Sequence, residues 1–202
     1  MENLYQRSFD FVDLKPLAPK PRQSGLTEIR GPYYEAFTVQ QLNDLLKTWG
    51  YYIDGFKFAG GTQALLTANT VKAFTDLAHE HQVYVNTGGF IERIVIQDPK
   101  NIDHYLQETQ RLGFDVVEVS SGMFEHPQDF RLDDQVEIVK RIKKMGMKPK
   151  PEITIMSGVG GGVQEFDYKN KTKSVKTPEE LIEEGERFFE AGAHMLMVES
   201  EG

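Results

Sequence analysis

The constraint that narrows this chain most is a repeat of unit size. Short apolar runs that read as strands recur at 26–29, 53–58, 83–86, 116–120, 150–155 and 195–199. Stretches with helical spacing separate them, around 41–46, 71–78, 102–112, 136–142 and 181–189. Successive strands start roughly thirty residues apart, the length of one strand plus its returning helix, with a longer interval before the last. Alternation at that interval implies right-handed βαβ crossovers and a parallel sheet. The helix ends are punctuated as such units require. Gly113, Gly146 and Gly192 lie just past helical runs, where a left-handed residue closes the helix. Thr177-Pro178-Glu179-Glu180 supplies an N-cap, a proline at the first helical position and a capping-box glutamate.

Both an open doubly wound sheet and a closed barrel satisfy this pattern. Polar residues at the C-terminal end of almost every strand favour the barrel: Glu28 and Arg30, Lys57, Asn86, Glu118, Glu152 and Glu199. A (β/α)8 barrel assembles its active site from several strand ends, whereas an open sheet concentrates it at one switch point. The expected fold is therefore a (β/α)8 TIM-type barrel, truncated after about six strands. A Pro-rich arm over residues 1–23, without regular structure, is expected to precede a barrel domain over 24–202. A six-strand sheet has open, apolar edges, so poor solubility or compensating association, such as a homo-oligomer, is expected.

Composition excludes several functions. The chain has 31 acidic and 23 basic residues among 202, a net charge of −8. Without a dense Lys/Arg stripe, no nucleic acid is expected as partner. The absence of cysteine removes thiolate catalysis and Cys-based zinc sites, and it fits a reducing compartment. No run is long and apolar enough for a membrane span and the N-terminus lacks a secretory pattern, so no membrane partner is expected and the expected location is cytoplasmic.

Candidate chemistry collects at the strand ends. Lys57 ends the second strand directly before Ala59-Gly60-Gly61, and glycines there permit close approach of an anion that the lysine would hold. Asn86 precedes a second pair, Gly88-Gly89, whose backbone N–H groups would line an anion-binding concavity. Two tight turns are the plainer reading of both pairs. Glu118, Glu152 and Glu199, on strands four to six, present hard oxygen ligands suited to Mg2+, or ion-pair partners for rim cations. The run Ser157–Val163 is glycine-rich but lacks the Gly-Lys-Ser/Thr ending of a phosphate loop, so it reads as a loop on the active-site face. His79 and His81 read as surface residues. Met145, Met147, Met195 and Met197 read as core filling.

Five segments carry a resemblance: KPRQSGLTEIRGP (20–32), YIDGFKFAGGTQALL (52–66), HQVYVNTGGFIE (81–92), LGFDVVEVSSG (112–122) and EAGAHMLMVESEG (190–202). They resemble the phosphosulfolactate synthase family, which includes enzymes of coenzyme M biosynthesis and the plant heat-stress-associated proteins. LTEIRGP sits closer to the plant branch. The resemblance implies a (β/α)8 barrel and Mg2+-dependent addition of sulfite to phosphoenolpyruvate. It implies Lys57 and Glu152 as catalytic residues and Glu118 and Glu199 as metal ligands. Arg30, Gly60, Gly61, Asn86, Gly88 and Gly89 would bind substrate. One departure stands out. The archaeal enzymes carry a lysine pair after strand five, where a general acid has been placed, and this chain reads PEITIMSGVGGG there. Its nearest lysines are Lys148 and Lys150, before that strand's end, and Lys169. Lys57 is then the expected cation for the chemistry. The rival expectation is a non-catalytic barrel acting in a stress response through protein contacts.

Overall fold

A computed structural model describes residues 8–13, 15–31, 36–124, 129–155 and 176–199. Its strands are β1 (Glu28–Arg30), β2 (Gly55–Lys57), β3 (Tyr84–Asn86), β4 (Val116–Val119), β5 (Lys148–Thr154) and β6 (Met197–Glu199). The helices between them are α1 (Val39–Trp49), α2 (Ala68–Glu80), α3 (Phe90–Gln97), α4 (Ile102–Arg111), α5 (Leu132–Lys144) and α6 (Pro178–Glu190). All six strands lie side by side in chain order, every pair parallel. That order is the first six units of a (β/α)8 barrel, as the repeat predicts. α3 was not expected; it follows the Gly88-Gly89 turn directly.

Side chains alternate across each strand, and the alternation separates two environments. The outward set is apolar and packs under the helices. Phe56, Phe58 and Val85 meet Leu42 and Leu46 of α1 and Phe74 of α2, with the Phe56 and Phe74 rings stacked at 5.9 Å. Val117, Val119 and Ile153 meet Leu106, Ile138, Ile142 and Phe188 from α4, α5 and α6. The inward set is polar, and it builds the site below.

β5 shows how local chemistry sets the pairing. Its sequence KPKPEIT places Pro149 and Pro151 on the outward face. The Pro149 carbonyl accepts from the His194 N–H, so the prolines present their missing donors toward β6. The β5–β6 ladder accordingly begins only beyond them, at Glu152 and Met197. The β4 side is complete, starting where the Lys148 N–H donates to the Asp115 carbonyl at 2.9 Å.

Residues 15–27 carry no helix or strand yet are tied to the N-terminal end of the sheet. Lys20 Nζ donates to the carbonyls of Gly50, Ile53 and His81 at 3.0, 2.6 and 2.7 Å. Arg22 forms a buried ion pair with Asp54 at 2.7 Å. Thr177 and Glu180 form the expected capping box of α6. Gly113, Gly146 and Gly192 adopt φ of 89°, 80° and 100° after their helices. No helix among the described residues is long and apolar enough to cross a membrane.

Candidate active site

The inward residues form a charged ladder along the barrel axis. At its base, a Cβ on Gly55 would lie 2.3 Å from the Tyr84 ring, so only glycine lets that ring cross the interior. Tyr84 bonds the Glu28 carboxylate, and burial, reinforced by Glu28, pushes its hydroxyl above the ordinary range. Glu28 Oε1 accepts from Lys150 Nζ at 2.7 Å, and Glu28 Oε2 from Asn86 Nδ2 at 3.1 Å. Asn86 Nδ2 also reaches Glu118 Oε2 at 3.3 Å.

Glu118 is the hub. Its side chain is 2% exposed, and its Oε2 meets Lys57 Nζ at 2.8 Å and Lys150 Nζ at 3.8 Å. Two ammoniums and an amide therefore converge on one buried oxygen, the compensation a buried carboxylate requires. Lys57, at the C-terminal end of β2, is 14% exposed, and its Nζ also lies 3.6 Å from Met197 Sδ.

A second acidic group solves its charge differently. Glu152, buried on β5, is hydrogen-bonded to Glu199, and its carboxyl is pushed up to about 10. Burial is the main cause, followed by the bond to Glu199 and the fields of Glu199, Glu118 and Glu92. Two carboxylates in contact cannot both ionise in such a place, so the pair shares a proton at neutral pH. Glu92 on α3 is also buried and raised, mainly by desolvation. It accepts from the Ser120 hydroxyl and from the Met123 N–H at 2.7 Å. The site thus contains the Lys57–Glu118 ion pair and, within the field of Glu118, a Glu152 carboxyl that is pushed up.

The donor set bears on a divalent cation. Among the described residues no three acidic or histidine side chains form a ready metal cage. Mg2+ commonly takes one or two protein carboxylates and completes its shell with water and substrate oxygens. Glu199 fits that role. It is less buried than Glu152, and the crowding of acids around the pair is charge that a cation would relieve. Glu118, expected as a metal ligand, instead has its Oε2 engaged by Lys57, Lys150 and Asn86.

The structure brings Lys57, Asn86, Glu118, Glu152 and Glu199 of the expected set together. Arg30 stands exposed at the end of β1, in register with Lys57. Gly60 and Gly61 adopt φ of 60° and 72°, but a Cβ on Gly61 would meet the Phe90 ring at 2.6 Å. Gly88, at φ 60°, would place a Cβ 2.0 Å from the Phe58 carbonyl oxygen, and its N–H is held by Asn86 Oδ1 at 3.1 Å. The close approach these two glycines permit is thus to the protein itself. Gly89 differs, since a Cβ there would point at Ser120 Oγ, Glu92 and Glu118. Met197, expected in the core, faces Lys57, and His79 bonds Asp115 at 2.8 Å. The glycine-rich run 157–163 and Lys169 lie outside the described residues. Sequence reading passed over Glu92 and Lys150 as site members. Lys150 carried a signal, because it is two residues from Glu152 and so shares its face.

Comparison with known proteins identifies the family. The family model for (2R)-phospho-3-sulfolactate synthase matches residues 15–202. Protein HEAT-STRESS-ASSOCIATED 32 of Arabidopsis thaliana is 31% identical over 205 residues, covering 98% of this chain and 70% of that protein. Phosphosulfolactate synthase of Methanothermobacter thermautotrophicus is 26% identical over 193 residues, covering 96% of this chain and 67% of the relative. Among solved structures, 2,3-dimethylmalate lyase, of the PEP mutase/isocitrate lyase superfamily, superposes with a TM-score of 0.50 at 12% identity. The match covers 86% of this chain and 57% of that barrel, and it speaks to the fold alone.

Proposed function

The chain belongs to the (2R)-phospho-3-sulfolactate synthase family, and on that premise we propose that it catalyses a phosphosulfolactate synthase-like addition of sulfite to phosphoenolpyruvate. The observation that carries the reading is the buried Glu152–Glu199 carboxyl pair, whose crowding and burial push Glu152 up, in the same interior as the Lys57–Glu118 ion pair. In the addition, the sulfite sulfur lone pair forms a bond to C3. The C2–C3 π electrons move toward C2 and the carboxylate, giving an enolate. Lys57 holds the substrate's anionic group, placing it against the site and offsetting the new charge. Glu152 gives its proton to C2, and solvent later restores it. A carboxyl held near pKa 10 keeps its proton at neutral pH until a carbanion appears, which is what a general acid needs. This would supply the acid that the missing lysine after strand five leaves open. Glu199 would hold Mg2+, which when bound supplies positive charge for the enolate carboxylate.

The test is direct. Protein supplied with sulfite, phosphoenolpyruvate and Mg2+ is expected to form phosphosulfolactate. Lys57→Ala and Glu152→Gln are each expected to lower turnover at least about a hundredfold. No product, together with no rise in melting temperature on adding phosphoenolpyruvate and Mg2+, would sink the reading. The 31% identity to the Arabidopsis protein favours a second reading, a non-catalytic barrel working through protein contacts, and that outcome would leave it standing.

A further inference from the structure

Lys57 is placed to meet an anion at the mouth of the site, yet its ammonium is already spent on Glu118, 2.8 Å away. If Lys57 turned to a substrate, Glu118 would keep a full charge at 2% exposure. Breaking a buried ion pair by removing one partner is costly, so anion binding would be opposed by the carboxylate it uncovers. The neighbourhood offers one relief. Lys150 Nζ lies 3.8 Å from the same Glu118 oxygen that Lys57 holds.

We propose that Lys150 is a positioning residue that takes over Glu118 when Lys57 transfers to the substrate anion. This rests on the reading that Lys57 binds that anion. Three features support the division of labour. Lys150 sits deeper than Lys57, at 8% against 14% exposure, so the outer lysine is the one that meets ligand. Lys150 is anchored from beneath by Glu28 at 2.7 Å, and Asn86 and Tyr84 fix Glu28 in turn. An ammonium has three donors on a flexible stem, so Lys150 can shorten its contact to Glu118 while keeping Glu28. Asn86 adds a neutral donor to the same oxygen, which keeps that oxygen in place during the exchange. Lys57 is then a transferable cation, and Lys150 sets how tightly Glu118 holds it back.

Binding of inorganic phosphate and of phosphoenolpyruvate, measured by calorimetry on the full chain, tests this without turnover. Lys150→Met leaves Glu118 dependent on Lys57, so binding of both anions should weaken by about tenfold or more. In steady-state kinetics the loss should fall on KM rather than kcat. Adding Glu118→Gln to Lys150→Met removes the charge that needed Lys150, and binding should return to within about threefold of wild type. Glu118→Gln alone should bind phosphate more tightly than wild type, a readout that survives if Lys150→Met does not fold. The proposal is overturned if Lys150→Met binds normally, or if the double variant stays weak, which would make Lys150 a direct ligand or a simple prop. It is equally overturned if Glu118→Gln weakens binding, or if wild type binds neither anion. Anion binding with this pattern but no product from sulfite would end the synthase reading and leave the exchange standing.

Discussion

Replacing Glu152 by glutamine should stabilise the protein, and more so as the pH rises. The ordinary glutamate value is 4.5, and the fold raises Glu152 to about 10. Between those values the unfolded chain releases a proton that the folded Glu152–Glu199 pair retains. Stability from this group is therefore complete below pH 4.5 and is lost as pH climbs toward 10. The loss is about 1.4 kcal/mol per pH unit, so at pH 7 the pair costs about 3 kcal/mol relative to its acid limit. Glutamine keeps the shape, carries no proton to lose, and can donate its amide to Glu199. Urea unfolding at pH 6, 7 and 8, in chelator to exclude divalent cations, measures the difference between variant and wild type. That difference should grow by about 3 kcal/mol across the two pH units. A difference that does not change with pH would mean Glu152 is ionised in the folded protein, and the proton-donor assignment would fall with it. The same substitution should lower turnover at least about a hundredfold, so stability and activity should move in opposite directions.

Arg22→Ala should lose about 3–5 kcal/mol in urea unfolding, because it strips the partner from Asp54, whose side chain is 4% exposed. Gly88→Ala should lose about 3 kcal/mol by thermal melting, since its Cβ would stand 2.0 Å from the backbone oxygen of Phe58 at a φ of 60°. Gly146→Ala, with φ 80° but nothing within 4 Å of the added carbon, should lose only about 1 kcal/mol. If the two glycine variants melt alike, the distinction between crowding and backbone strain fails.

The barrel was legible because its signals are local and repeated. Each unit carries its own apolar strand, amphipathic helix and closing glycine, and the six strands lie where those runs stand. α3 escaped because it starts on the residue after Gly89 with no capping side chain, although Phe90, Ile91, Ile94 and Val95 have helical spacing. Polar strand ends located the rim, and five of the expected site residues meet there. What composition and spacing could not supply is who pairs with whom. Lys150 and Glu28 are 122 positions apart, and only closure of the sheet joins them. The proton on Glu152 is less readable still, because it depends on depth and on the approach of Glu199.

Those unreadable pairings decide the chemistry. Glu118, Glu152 and Glu199 looked equivalent as strand-end acids, three candidates for one metal. The fold separates them by what lies opposite. Glu118 faces β2, β3 and β5, where two lysines and an amide converge on its Oε2. Glu152 faces β6, and finding another carboxylate there, it keeps a proton instead. A barrel interior filled this way forgoes the apolar packing that usually occupies it, and burying charge costs stability. In return, one interior holds both a lysine–carboxylate ion pair and a carboxyl that is pushed up. Removing either lysine should therefore strip Glu118 of a cation that offsets its burial, and removing Glu199 should take away one of the causes that raise Glu152.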